Sequence, residues 1–332
     1  MLKLFERSTG FQIVVILVVT ILLWLHALAH PQPMTPPDTF APLYSLLYSL
    51  SISPLASVIS AMVLVIAGGI LLNLMLTNAG LVSQNSLLPT LFYIIFMSAT
   101  TETLSPSLIV GILTIAFVRM LLLHSTLLTI PSDKIFGATA IIGICSLFYL
   151  PALTLLIAYL LVAVSYRLYS WRDWMVLLLG LLAPYCLLWT IFFLNGTFTE
   201  CFLAMSTSLT ISFPSSFTFH FSSSLVANII LILTFAVSLF TLWRRFGERT
   251  ALWQKNATAV VMPTVSALAL LILYNPCLPV NLQLFAIPFA LCASLRFSSE
   301  TRYSRYSRNR HQWKSHLKDI LFFIVIAAAM VC

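Results

Sequence analysis

The chain has 332 residues, of which 60% are hydrophobic and only 8% charged, and its mean hydropathy is +1.02. Soluble proteins carry about 25% charged residues, so this composition excludes a soluble globular domain and points to an integral membrane protein. The formal net charge of +8 therefore needs a location before it needs a partner.

A hydrocarbon core of about 30 Å takes about 20 apolar residues per helical crossing. Apolar windows, read against Pro, Gly and charge breaks, predict an all-α polytopic transmembrane helix bundle of about eleven segments. They lie at 11–28, 55–77, 87–99, 106–124, 137–150, 151–166, 174–194, 225–243, 258–274, 281–296 and 319–332. The whole chain, 1–332, reads as a single integral membrane domain. The charged start before the first segment resembles a signal peptide. The apolar run that follows exceeds the roughly 7 to 15 residues of a signal core, so an uncleaved first helix is expected. Segments 137–150 and 151–166, with Pro151 between them, are too short to cross comfortably alone. They are expected to form a pair that turns within the outer leaflet, shielded from lipid by neighbouring helices.

Orientation follows from the cations. With the N-terminus cytoplasmic, alternate connections hold Lys134, Arg167 with Arg172, the cluster "RRFGERTALWQK" and the run "RYSRYSRNRHQWKSHLK". Lys3, Arg7, Arg119 and Arg296 complete the set, so all 17 Lys and Arg fall on or near one side, as the positive-inside rule requires. The basic cytoplasmic loop, 297–318, interleaves Tyr and Trp313 with its charges. Between two membrane segments this pattern points to anionic lipid head groups and away from nucleic acid.

The first outer loop, 29–54, then carries Asp38 and no Lys or Arg. Behind Asp38, "FAPLYSLLYSLSI" spaces its apolar residues as an interfacial helix of about 14 residues would. Asp38 or Thr39 could instead serve as the N-cap of that helix. His26 and His30, four apart in "HALAH", could bind metal on one helix face, but the Glu of an HExxH motif is missing. Interfacial histidines in apolar surroundings are the plainer reading. The second outer loop, "SATTETLSPS", carries Glu102 beside a helix start at Pro106, where it is either a functional carboxylate or an ordinary exposed loop acid. Glu200 and His220 belong to the large outer loop, 195–224, which is rich in Ser, Thr and Phe and could lie over a site. An outer surface with acids and histidines but no Lys or Arg suits proton transfer or a divalent metal. The six cysteines (145, 186, 201, 277, 292 and 332) show no CxxC pair and no zinc spacing. They read as free buried thiols, although Cys201 and Cys277 could meet outside the membrane.

The order of these features resembles the GT-C class of membrane glycosyltransferases. The likeness rests on an acid in each of the first two outer loops, Asp38 and Glu102, and on the stretch "GATAIIGICSLFYLPALTLLIAYLLVAVSYRLYSWRDWMVLLLGLLAPYCLLW", residues 137–189. That stretch looks like the family's short helix, buried turn at a proline, basic cytoplasmic link and helix broken near "APY". The chain also resembles a family of bacterial inner-membrane proteins sharing "SLFY-P" and "W-R-x-W", a likeness that brings a location and no activity.

The GT-C resemblance implies transfer of a sugar from a polyprenyl-phosphate carrier to an extracytoplasmic acceptor in envelope glycan or glycoprotein assembly. It implies Asp38 as the base or metal-orienting carboxylate and Glu102 as a second metal or acceptor contact. A divalent metal, Mg or Mn, would sit on Asp38 and Glu102, and His26, His30, Glu200 and His220 are the candidate substrate contacts. Such enzymes commonly place Arg or Lys outside for the carrier phosphate, and this chain has none there. The competing readings are a transporter or flippase and a structural subunit of an envelope complex. Transporters often show related halves and mid-helix charges; neither is evident here, although Gly68-Gly69 is expected to interrupt the second segment.

Overall fold

A computed structural model describes residues 9–37, 40–50, 52–83, 86–125, 132–165, 170–208, 223–247, 249–273 and 283–297. Every regular element among them is helical: α1 (Thr9–Ala29), α2 (Pro42–Ser49), α3 (Pro54–Asn78), α4 (Leu88–Ser98), α5 (Pro106–Ser125), α6 (Ser132–Phe148), α7 (Leu155–Ser165), α8 (Trp171–Leu194), α9 (Phe198–Ser208), α10 (Ser223–Phe246), α11 (Ala251–Val261), α12 (Pro263–Leu273) and α13 (Ala286–Phe297). Four of these, α1, α3, α5 and α8, are long and apolar enough to cross a membrane. Among the described residues the chain is all-helical, with four helices of membrane-crossing length and several shorter apolar ones, as an integral membrane protein needs. The expected segment at 319–332 and the basic run at 302–318 lie outside the described residues.

The short helices make sense once their burial is considered. Every residue of α4 from Leu88 to Met97 is buried, and so is α13 from Ala286 to Ser294. A helix of 11 residues spans about 16 Å, half a bilayer core. Such a segment is tolerable at membrane depth only when protein encloses its ends. Here α1, α3 and α13 pack around α4, and Phe289 of α13 lies 4.9 Å from Phe96 and 6.2 Å from Phe92, ring centre to ring centre. These two helices are the axis of the bundle. By contrast, α1 buries only a stripe, Gln12, Ile16, Thr20, Trp24 and Ala27, at three- and four-residue spacing, and turns its other faces outward.

Two glycine notches set the helix spacing. Gly68 and Gly69 do not interrupt α3, which runs unbroken from Pro54 to Asn78. They let α4 approach so closely that a Cβ on Gly68 would lie 3.0 Å from the Tyr93 hydroxyl, and one on Gly69 would lie 3.1 Å from Thr90. Thr90 donates to the Gly69 carbonyl across this contact, at 3.1 Å. On the other side of the bundle α6 and α8 meet through Gly143 and Gly180. Pro184 sits inside α8 without breaking it, with its ring against Gly143; the break expected near "APY" is absent, because packing on α6 holds the helix together at the proline. After α6 the chain turns through Tyr149 and a 3₁₀ turn at Leu150–Thr154, whose Leu150, Pro151 and Ala152 are buried. The expected short pair with a protein-shielded turn is therefore present.

The helix directions separate two ends. At one end Gln12 Oε1 accepts the Leu87 N–H at 2.8 Å, fixing the start of α1 to the start of α4. There too Asn256 Nδ2 donates to the Ala79 carbonyl at 2.9 Å, beside the turn at Gly80 whose φ of +68° closes α3. Arg119, Lys134, Arg172, Arg249 and Lys255 lie at this basic end. Glu102 and Glu200 lie at the other.

Candidate functional site

The acidic end is built from two loops held together by buried hydrogen bonds. After α1 residues 31–37 carry no regular structure, and α2 begins with Ala41 as its N-cap and Pro42 in the first helical position. Asp38 and Thr39, the caps expected from the sequence, lie outside the described residues. The helix covers 8 residues against the expected 14 or so, and it is anchored on its inner face. Tyr44 is completely buried, and its hydroxyl lies 2.7 Å from the Thr35 carbonyl and 3.0 Å from that of Leu104. Leu46, Tyr48 and Leu50 point outward.

Leu104 belongs to the second loop, and both sides of its peptide unit are used. Its carbonyl faces Tyr44 and Thr35, while its N–H donates to Ser57 Oγ at 3.2 Å. Farther along, Gln283 donates to the Thr100 carbonyl at 3.3 Å and to Thr101 Oγ1. Ser105 Oγ accepts the Leu108 N–H and caps α5. Thr100, Thr101, Thr103, Leu104 and Ser105 are all buried, and Glu102 alone in this turn is exposed. A buried polar group that loses its partner costs about 1–3 kcal/mol, so the frame around Glu102 is rigid. Gln283 Oε1 is buried without a hydrogen-bond partner and adds an unused acceptor behind that frame.

The described part of the large outer loop, 195–208, packs at the same end. The chain leaves α8 through Gly196, whose φ is +72°, and the Thr197 N–H reaches back to the Phe192 carbonyl at 3.0 Å. This left-handed closure starts α9 four residues after α8. At its far end Ser208 Oγ accepts the Phe40 N–H at 3.0 Å. Cys201 joins Leu147, Tyr185 and Leu188 in a small apolar cluster, against which Phe40 and Leu43 pack. Burial pushes the Cys201 thiol up from its ordinary value, and the thiol is free.

The candidate residues are distributed as follows. Asp38, Thr39, His220 and Cys277 lie outside the described residues. Glu102 and Glu200 are exposed on separate loops of the acidic end. His26 and His30 are exposed at the end of α1, with ring centres 5.5 Å apart in an edge-on arrangement. His30 precedes Thr35, a member of the Tyr44–Leu104 mesh, by five residues. Among the described residues no three His, Cys, Asp or Glu side chains gather into a metal-binding group. Four contributors were missed by sequence reasoning: Tyr44, Ser57, Ser208 and Gln283. Each acts through a hydrogen bond between elements distant in the chain, a relation that sequence spacing does not carry.

Comparison of the chain with protein families and with curated proteins returns no match.

Proposed function

We propose that this chain is a GT-C-like membrane glycosyltransferase, or a non-catalytic relative of one, acting on the extracytoplasmic side of a bacterial inner membrane. The substrates are a polyprenyl-phosphate-linked sugar and an acceptor of envelope glycan or glycoprotein assembly. One observation carries this reading: Glu102 is the exposed member of a turn whose neighbours are all buried, and that turn is tied through Leu104 to the loop that contains Asp38. A carboxylate held on a fixed frame at a membrane boundary is what positional catalysis needs.

In the proposed reaction a carboxylate accepts the proton of the acceptor hydroxyl. The hydroxyl oxygen forms the new bond to the anomeric carbon, and the bond from that carbon to the carrier phosphate oxygen breaks with its electron pair leaving on the phosphate. Asp38 is the proposed base and Glu102 an acceptor contact, with His26, His30, Glu200 and His220 bordering the substrate. A Mg or Mn ion on Asp38 and Glu102 would stabilise the charge on the leaving phosphate. The described residues supply Glu102 alone to such an ion, short of the several oxygens it takes, so no step is derived through it.

Asp38→Asn and Glu102→Gln variants, scored for envelope and protein-linked glycans beside a full deletion, test the proposal. Loss of glycan in either variant with normal protein level supports catalysis. Glycans unchanged in both, but lost in the deletion, refute it and leave a scaffold.

A further inference from the structure

The helix α9 presents three different edges. Cys201, Met205 and Ser208 face the protein, where Cys201 is buried and Ser208 holds the Phe40 N–H. Thr199, Glu200 and Thr207 occupy the far side and are exposed. Between these edges stand Phe198 and Phe202, stacked with ring centres 6.4 Å apart, and Phe202 is 54% exposed. Leu203, 63% exposed, stands on the far side between Thr199 and Thr207.

The depth of α9 identifies what covers that aromatic edge. The cluster that Cys201 joins is centred on Tyr185 and Leu188 of α8, which precede the end of that helix by nine and six residues. At 1.5 Å per residue they lie about 13 Å and 9 Å below the last turn of α8. That level belongs to a helix long and apolar enough to cross the membrane, and α8 there exposes Leu187 and Ile191, at 70% and 57%. So α9 folds back alongside α8 at a level where α8 is apolar and exposed, and its aromatic edge stands at that same depth. The hydroxyls of Ser206 and Thr207 donate to carbonyls of their own helix, which lowers the cost of bringing that flank to a boundary.

We propose that α9 is a lipid-docked strap. Its Phe198 and Phe202 edge sits among the acyl chains of the leaflet at the acidic end, and its protein edge clamps the first outer loop at Phe40, two residues from Asp38. Lipid contact seats the helix, and the seated helix holds the loop. This holds whether or not the chain is a transferase, because neither the edge nor the clamp depends on chemistry at Asp38.

The test uses the full chain with its six native cysteines replaced, in nanodiscs of phosphatidylethanolamine and phosphatidylglycerol. A spin label at Phe202→Cys is expected to collide with oxygen more often than with a water-soluble nickel chelate, and one at Glu200→Cys to show the reverse. The disulfide between Phe40→Cys and Ser208→Cys is expected to form under mild oxidation, at a rate that drops more than fivefold when Phe198→Ser and Phe202→Ser are added. Nickel access at 202 overturns the lipid edge. Exclusion of both reagents there assigns the edge to a protein partner and also overturns it. A crosslinking rate indifferent to the serine substitutions, in variants that remain monodisperse, overturns the clamp.

Discussion

The contact between α6 and α8 offers a quantitative test of the fold, because its two glycines face backbone and cannot be relieved by a side chain turning away. A Cβ added at Gly180 would lie 2.7 Å from the Phe136 carbonyl oxygen and would also strike Thr139 Oγ1. Against an ordinary contact of about 3.5 Å, the backbone of α6 must retreat by about 0.8 Å. Overpacking of this kind costs about 1–3 kcal/mol, partly offset by up to about 1 kcal/mol of better helix propensity for Ala over Gly. Gly180→Ala should therefore lose about 1–2 kcal/mol. Gly143→Ala, 2.8 Å from the Leu181 carbonyl, should follow it. Gly68→Ala should cost less, because its neighbour at 3.0 Å is the far end of the Tyr93 side chain. Gly137→Ala meets only Met120 Cε at 3.6 Å and should be neutral or stabilising.

Apparent melting temperature by size-exclusion thermal shift in detergent would rank the four variants. The Gly180 variant should fall by about 2–5 °C relative to Gly137→Ala. Equal stability of these two would refute the close approach of α6 and α8, and with it the packing that carries α8 through Pro184.

Other consequences can be checked independently. Tyr44→Phe removes a buried donor from both the Thr35 and Leu104 carbonyls and should destabilise by about 1–2 kcal/mol, whereas Ser49→Ala, at an exposed hydroxyl bonded to its own helix, should be silent in the same assay. Gln283→Leu should speed amide exchange in residues 99–105, since it frees the Thr100 carbonyl and Thr101; unchanged protection there would remove Gln283 from the frame. A membrane-impermeant maleimide applied to intact spheroplasts should label Glu102→Cys and Glu200→Cys but not Lys134→Cys or Arg172→Cys, and the opposite pattern would invert the orientation. Cys201 should react more slowly than Glu200→Cys and speed up as pH rises, because its thiol is buried and raised and the thiolate is the reacting species.

Hydropathy and charge placed most helices within a few residues of their observed positions, because a membrane demands long apolar runs and a cation bias. The same property could not separate a helix facing lipid from one facing protein. So α4 and α13 read as membrane segments without a sign that, among the described residues, protein encloses them nearly completely. Gly68-Gly69 looked like a break because a sequence does not show the Tyr93 that fills it, and Pro184 for the same reason in relation to Gly143. The strap α9 escaped notice since "FTECFLAMSTS" has no membrane-length apolar run, and its role comes from Ser208 meeting Phe40 across 168 positions. At the candidate site, the sequence showed which residues could do chemistry, Glu102 among them. It could not show that every neighbour of Glu102 in its turn would be buried.

That burial bears on the choice between a fixed catalytic site and a moving one. Five contacts tie the loops, α2, α3 and the segment before α13 into one plate at the acidic end: Tyr44 to Thr35 and Leu104, Ser57 to Leu104, and Gln283 to Thr100 and Thr101. Of these, the Gln283 bonds to Thr100 and Thr101 join distant parts of the chain, while the others lie within its first 105 residues. Alternating access by rocking one half of the bundle against the other would have to break the Gln283 pair on every cycle. At about 1 kcal/mol of net stability each, that is about 2 kcal/mol, before counting the desolvated groups left unpaired. A transferase whose lipid-borne donor arrives laterally in the membrane needs none of them to open. A fixed frame around Glu102, extended by Ser208 holding the Phe40 N–H, is what the proposed transferase would need at a stationary site.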